Sequence, residues 1–224
     1  ELRTPLNIIL GFSDLLMTDA GIMDAPRISD MARHINNAGM RLYRLIENFL
    51  TYAHTEIMLT DEQQRESLKQ HYMLYPKSAI ENYIAQKAIA VHRENDLRAS
   101  IADVEAIGIA EDNLKKIVDE LADNAFKFSE AGKEVHIQTH VDGDWYILRF
   151  ADQGRGMTPE QIDNIGAYMQ FERRMYEQQG AGLGLVIAKR LAELPNGDLS
   201  IFSQEGGGTQ VVVRLPVRHD IVID

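Results

Sequence analysis

The sequence predicts two unlike units: an all-α helical hairpin that pairs into a dimeric four-helix bundle, then an α+β two-layer sandwich. Three observations predict this. Residues 1–56 carry apolar side chains at helical spacing. From about residue 76, helical stretches alternate with paired runs of period two. Between them, 57–75 is polar and aperiodic, as a linker would be. The composition bounds the rest. A chain of 224 residues can bury a sizeable core, and its 45% hydrophobic and 25% charged residues are ordinary for a soluble globular protein. A formal net charge of −11 disfavours a nucleic-acid partner, which calls for a basic patch. The absence of cysteine excludes disulfides and thiolate chemistry and suits a reducing compartment, so this portion is expected in the cytoplasm. No apolar run approaches the roughly 18 residues of a membrane span. The first residue is Glu1, so the chain is expected to be a piece of a longer protein whose membrane attachment the sequence leaves open.

Ile28, Met31, Ile35, Ala38, Leu42, Leu45, Phe49 and Tyr52 step by three and four, a seven-residue repeat that predicts one long helix with a bundle seam. Leu2, Leu6, Ile9 and Leu16 repeat the pattern in a shorter first helix. "TDAGIMDAP", 18–26, separates the two, with Pro26 suited to a first turn. One hairpin cannot bury both its apolar faces. Two hairpins on a twofold axis can, and packing on the chain's own second unit is the alternative. In the second unit, 76–95 and 111–129 read as helices, and 134–141 with 145–151 as a hairpin. Residues 184–194 read as a helix stopped at Pro195-Asn196-Gly197. "DLSIFS" and "TQVVVRLP" form a second hairpin around Gly206-Gly207-Gly208, which places helices on one face of a mixed sheet. The domains expected are therefore 1–56, a linker at 57–75, 76–218, and a tail at 219–224.

The chemistry-bearing residues lie on the second unit. At 100° per residue, Leu114, Ile117, Val118, Leu121, Ala125 and Phe128 share one broad face of helix 111–129. Glu120, Asn124 and Lys127 form a narrow stripe beside it. A solvated helix face often carries such residues. The sharper reading is a ligand site. An asparagine oxygen is a hard ligand for Mg²⁺, a lysine meets phosphate as a point charge, and Glu120 can orient or deprotonate a nucleophile. The strand at 145–151 ends in "DQGRGM", where Asp152 offers a carboxylate and Gly154 and Gly156 clear space. "GAGLGL" places Gly180, Gly182, Leu183 and Gly184 ahead of a helix start, which suits a phosphate chain. In "MQFERR", Arg173 can reach a terminal phosphate or lie on the surface. His136 and His140 alternate on one strand face and read as structural.

The ordered series "ELRTPLN", "DELADNAFKFS", "DQGRGM", "MQFERR" and "GAGLGL" resembles the boxes of two-component sensor histidine kinases, over nearly the whole chain. The resemblance implies a dimerisation and histidine-phosphotransfer hairpin followed by an ATP-binding domain of the gyrase, chaperone and kinase superfamily. It implies ATP and Mg²⁺ as ligands, a homodimer through the hairpin, and the receiver domain of a response regulator as partner. Asp152 would receive the adenine amino group, with Gly154 and Gly156 admitting the base, and Phe128 would pack on the adenine. Asn124 would bind the metal, Lys127 a phosphate, and Gly180, Gly182 and Gly184 would hinge a lid. Glu120 matches a position that activates water in related ATPases. Glu1 matches the acidic neighbour that accepts the histidine's proton, and Thr4 a hydroxyl that positions water during dephosphorylation of the partner. Two departures stand out. Ala181 replaces the usual Thr or Ser, and the family's acceptor histidine directly precedes the residue matching Glu1, so the chain as written starts after it. Two rivals remain: an ATP-binding dimeric module without phosphotransfer, and an ATP hydrolase of the same superfamily.

Overall fold

The structure is a computed structural model and describes residues 2–68, 70–167, 183–219 and 221. The described residues fall into two compact units that divide between Thr51 and Tyr52. The first is a helical hairpin. Helix α1 spans Arg3–Asp19, a 3₁₀ turn covers Ala20–Ile22, and helix α2 spans Ala25–Thr60. The Asp24 carboxylate accepts the Arg27 N–H (3.1 Å), an N-cap that starts α2, and Pro26 sits in the first turn, where no N–H is needed. Along the expected seam Met31 and Ala38 are buried, while Ile28, Ile35, Leu42 and Leu45 are half-buried. Phe12 stacks on His34 with ring centroids 4.8 Å apart. Phe49, read as part of the seam, is exposed, together with Leu6, Leu10, Tyr43, Ile46 and Leu50.

The second unit begins with the end of α2. The irregular stretch expected over 57–75 is largely helical instead: α2 continues to Thr60 and helix α3 covers Glu62–Leu68. The polar composition hid a second purpose. Met58, Leu59 and Leu68 pack against the core, and Glu56 pairs with Arg190 at 2.5 Å. Strand β1 (Met73–Leu74), helix α4 (Pro76–Ala90), β2 (Leu97–Ser100), β3 (Ala106–Ile107), α5 (Glu111–Phe128), β4 (Val135–Asp142), β5 (Trp145–Asp152), α6 (Pro159–Ala167), α7 (Leu183–Glu193), β6 (Asp198–Ser203) and β7 (Thr209–Pro216) follow.

The main sheet has the order β2-β4-β5-β7-β6, and β1 pairs with β3 apart from it. β2 runs parallel to β4, and the other neighbours are antiparallel. The sheet is therefore mixed, as expected. β1, β2 and β3 are too short for a period of two to show in the sequence. Register aligns the inward side chains across the sheet: Ile137 with Phe150, Phe150 with Val211, Leu148 with Val213. These meet Ile80, Ile84, Leu114, Ile117, Leu121 and Ile187 of α4, α5 and α7 in one core. Thr139 is a buried polar residue on β4. Its hydroxyl accepts from the Tyr146 hydroxyl (2.9 Å) and from the Ala102 N–H (2.7 Å), so the buried group is satisfied.

α4 and α7 stop by the same device. His92 (φ 55) and Asn196 (φ 65) adopt the left-handed conformation. The next N–H in each case returns five residues, from Arg93 to the Ala88 carbonyl (2.9 Å) and from Gly197 to the Ala192 carbonyl (3.0 Å). This is the Schellman arrangement, which satisfies carbonyls left open at a helix end. The predicted stop at Pro195-Asn196-Gly197 is thus observed, whereas the helix expected over 76–95 ends earlier, at Ala90. Ile117 lies wholly inside the helix–sheet layer. Ile117→Ala should lower unfolding free energy by about 2–5 kcal/mol through lost burial and a residual cavity. Urea titration followed by circular dichroism would show it. A loss under about 1 kcal/mol would contradict the packing described.

Candidate functional site

α5 carries the site because it serves two surroundings at once. Leu114, Ile117, Val118, Leu121, Ala122, Ala125 and Phe126 are buried against the core. Glu120 and Asn124 are half-buried beside them, and Lys127 is exposed at the last turn. The expected stripe of carboxylate, amide and ammonium is therefore present. Lys116, one turn before Glu120, donates to its carboxylate at 2.6 Å. The Asn124 amide nitrogen is buried and, among the described residues, has no hydrogen-bond partner. The amide head therefore has unused bonding capacity.

The aromatic at the end of the helix needs one correction. Phe128 was read as part of the apolar face, but Phe126 fills the core and Phe128 is half-buried. The Lys127 ammonium lies 5.1 Å and the Arg155 guanidinium 4.8 Å from the Phe128 ring centre. Each cation gains from the ring's negative face. The Phe128 carbonyl accepts the Arg155 N–H at 3.3 Å. Gly154 sits so close to this carbonyl that any Cβ would overlap it. That close approach explains the glycine.

Asp152 ends β5 half-buried. Its carboxylate accepts the Gly154 N–H at 2.8 Å. Burial pushes the Asp152 carboxyl above the ordinary carboxylate range, and the N–H groups of Gly154 and Thr209 pull it partly back. Gly156 has φ 65 and lies against the Gln204 carbonyl, so a side chain would be strained and without room. The turn between β6 and β7 buttresses this loop. Ser203 accepts the Met157 N–H (2.9 Å), and Gly206 donates to the Arg155 carbonyl (2.7 Å). A capping box then starts α6, with Thr158 and Gln161 exchanging hydrogen bonds at 3.0 and 3.2 Å.

The second glycine stretch meets α5 elsewhere. Gly184, in the first turn of α7, faces Glu120, and a Cβ there would collide with its carboxylate. Leu183 is half-buried as the first residue of α7. α5 is thus touched by Gly154 at Phe128 and by Gly184 at Glu120, two positions about 12 Å apart along the helix axis, with Asn124 midway. The structure brings together Glu120, Asn124, Lys127, Phe128, Asp152, Gly154, Gly156 and Gly184. Thr4 stands exposed in the first turn of α1. Glu1, Arg173, Gly180 and Gly182 lie outside the described residues. Sequence reasoning missed Lys116, Arg155, Ser203 and Thr209. Lys116 had a readable signal, four residues before Glu120. The others act through contacts that no local pattern announces.

Among the described residues there is no group of three or more His, Cys, Asp or Glu able to hold a metal ion by itself. A divalent ion here would rest on the Asn124 amide and on oxygens supplied by a ligand, which suits Mg²⁺ bound with phosphates. The arrangement offers a carboxylate acceptor at one end and a free amide beside a lysine. At the other end a glycine-cleared helix start lies against a carboxylate.

Comparison with known proteins gives this geometry a family. Residues 109–219 match the histidine kinase-, DNA gyrase B-, and HSP90-like ATPase family, and residues 1–57 match the His Kinase A (phospho-acceptor) domain. The chain belongs to the sensor histidine kinases and carries their catalytic core. It is 33% identical over 224 residues to histidine protein kinase DivJ of Caulobacter vibrioides, covering 97% of this chain and 36% of that protein. A sensor-like histidine kinase of Rhizobium meliloti is also 33% identical, over 96% of this chain and 41% of its own length. The chain therefore spans well under half of these relatives. Histidine kinase AdeS of Acinetobacter baumannii shares the fold with a TM-score of 0.71 at 19% identity, over 98% of both chains. Full-length ShkA, solved in complex with AMPPNP, does so at 0.64 and 21% identity, over 96% of this chain and 44% of that one.

The raised carboxyl of Asp152 makes a prediction about stability. The folded chain favours the neutral form, so it binds the proton more tightly than the unfolded chain does. Asp152's contribution to stability therefore falls as pH rises from 3.8, the ordinary value, through the raised folded value. Asp152→Asn stays neutral throughout. Urea midpoints for the two proteins should diverge with rising pH, the native chain losing ground. Parallel curves would contradict the burial of this group.

Proposed function

We propose that the chain binds Mg-ATP and serves the phosphotransfer of a two-component sensor kinase. The observation that supports this most is the meeting of both glycine stretches on α5, either side of the unpaired Asn124 amide. In this reading Asp152 accepts the adenine amino group and Phe128 flanks the base. Lys127 meets a phosphate oxygen, and Gly184 leaves the start of α7 open toward the phosphate chain. Asn124 would hold the magnesium ion, which neutralises phosphate charge when bound. Arg173, Gly180 and Gly182 would complete the phosphate contacts, as the family's lid does. ShkA, which shares the fold, was solved with AMPPNP, an ATP analogue, and this supports the ligand class.

In the reaction, the bond from the γ-phosphorus to the β,γ-bridging oxygen breaks as a bond to a histidine nitrogen forms, leaving ADP. The histidine's proton passes to Glu1. The phosphoryl group then moves to an aspartate of a response-regulator receiver domain, and Thr4 positions water when the partner is dephosphorylated. The hairpin would form a homodimer, since Leu6, Leu10, Tyr43, Ile46, Phe49 and Leu50 present apolar surface that a second copy can cover. The domains proposed remain a hairpin at 1–56 and an ATP-binding domain at 76–218.

Calorimetry should show ATP binding to the native chain in the presence of Mg²⁺. Asn124→Ala and Asp152→Ala should each weaken it by about 1–3 kcal/mol, the cost of leaving a buried polar partner unmatched. Because an ionised carboxylate accepts more strongly than a protonated carboxyl, affinity should weaken as pH drops through the raised value of Asp152. Unchanged affinity in both variants would remove the nucleotide reading. Phosphotransfer needs a separate assay. A native chain that includes the residue preceding Glu1 should take up label from γ-labelled ATP in an acid-labile form. ATP binding without labelling would favour the binding-module alternative, and rapid phosphate release without phosphoprotein the hydrolase.

A further inference from the structure

We propose that Arg93 is a positioning residue for nucleotide binding, acting through the end of α5. Arg93 is buried and lies just past α4. The left-handed His92 turns the chain there, and the Arg93 N–H closes the Schellman arrangement on Ala88. This points the side chain at the C-terminus of α5. One terminal nitrogen donates to the carbonyls of Phe126 (2.7 Å) and Ser129 (2.9 Å) and to the Ser129 hydroxyl (3.1 Å). The other donates to the carbonyls of Glu130 (2.7 Å) and Lys133 (3.0 Å). The remaining Nε–H donates to Asp96 (2.6 Å), whose same oxygen accepts the Gly132 N–H (3.0 Å). The guanidinium also lies 5.3 Å from the Phe126 ring centre.

Both terminal nitrogens of the guanidinium are thus spent on one stretch of chain, 126–133, and the Nε–H on Asp96, which holds Gly132 of the same stretch. That stretch contains Lys127 and Phe128. Its Phe126 and Ser129 carbonyls are at the helix end, its Glu130 and Lys133 carbonyls in the loop that follows, and a fixed cation there is favoured by the helix dipole. A neutral or flexible side chain cannot hold four carbonyls at once, because only guanidinium presents five N–H donors in a rigid plane. The consequence reaches across the site. Phe128 stands against Gly154 and Arg155, so a displaced Phe128 also moves the wall of the loop that holds Asp152. Arg93 touches no ligand position itself; it fixes the residues that do.

The proposal rests on the nucleotide reading above. Its test is ATP titration of the native chain, Arg93→Met, Arg93→Lys and Asp96→Asn at a temperature where circular dichroism shows each folded. Arg93→Met should raise the Kd for Mg-ATP roughly tenfold or more, Arg93→Lys should recover little of it, and Asp96→Asn should raise it roughly threefold. Millimolar methylguanidinium should partly restore binding to Arg93→Ala. Lowered melting temperatures with unchanged Kd in the folded variants would show a purely structural role and overturn the proposal. If Arg93→Met does not fold, an unaltered Kd in Asp96→Asn overturns it. Asp152→Ala separates the two readings: if that variant also binds ATP as the native chain does, the nucleotide site itself is misplaced.

Discussion

A helix that ends inside a domain must find partners for its last carbonyls, and α5 meets this constraint in a way that organises everything around it. Ser129 closes on the Ala125 carbonyl (2.6 Å), Arg93 on Phe126, and the Arg155 N–H on Phe128. These donors come from the next turn of chain, from the end of α4, and from the loop after β5. Burying open carbonyls would cost about 1–3 kcal/mol each, so the three segments are held where they are needed. The close approach of Gly154 follows, because the loop can reach the Phe128 carbonyl only without a side chain in between.

The same helix separates stability from chemistry by angle. Its apolar face fills the layer between α4, α7 and the sheet, where Leu114, Ile117 and Val118 are fully inaccessible. Its polar stripe stays at the edge of that layer, half in water. Glu120 is anchored by Lys116 and roofed by Gly184, whereas Asn124 keeps bonding capacity unspent. The Asn124 amide nitrogen is buried without a partner among the described residues, on the same helix stripe as Lys127.

The hairpin obeys a simpler economy. Up to Thr51 its two helices bury Pro5, Met31 and Ala38 and leave larger side chains exposed along their length. The seven-residue repeat has more apolar surface than one hairpin can use, whereas the sandwich closes its core within one chain through a sheet and three helices. The contrast between the units is therefore one of self-sufficiency.

What the sequence determined by itself was everything with a local period or a local stop. The seven-residue repeat of α2, the polar stripe of α5, the hairpins β4–β5 and β6–β7, and the turn at Asn196 after α7 are all properties of neighbouring residues. Glu120, Asn124, Lys127 and Asp152 were legible as candidates for the same reason, since each lies in a short stretch whose residue types fit one chemistry. The tertiary structure alone decided that Phe126 rather than Phe128 fills the core, and that 57–68 is largely helical and packed. It alone made Gly184 the neighbour of Glu120 and set Arg93 on the carbonyls of a helix end 33 to 40 residues away. Periodicity reports which side of an element is apolar. It carries no record of which distant donor meets an open carbonyl, because that pairing exists only once the chain has closed on itself.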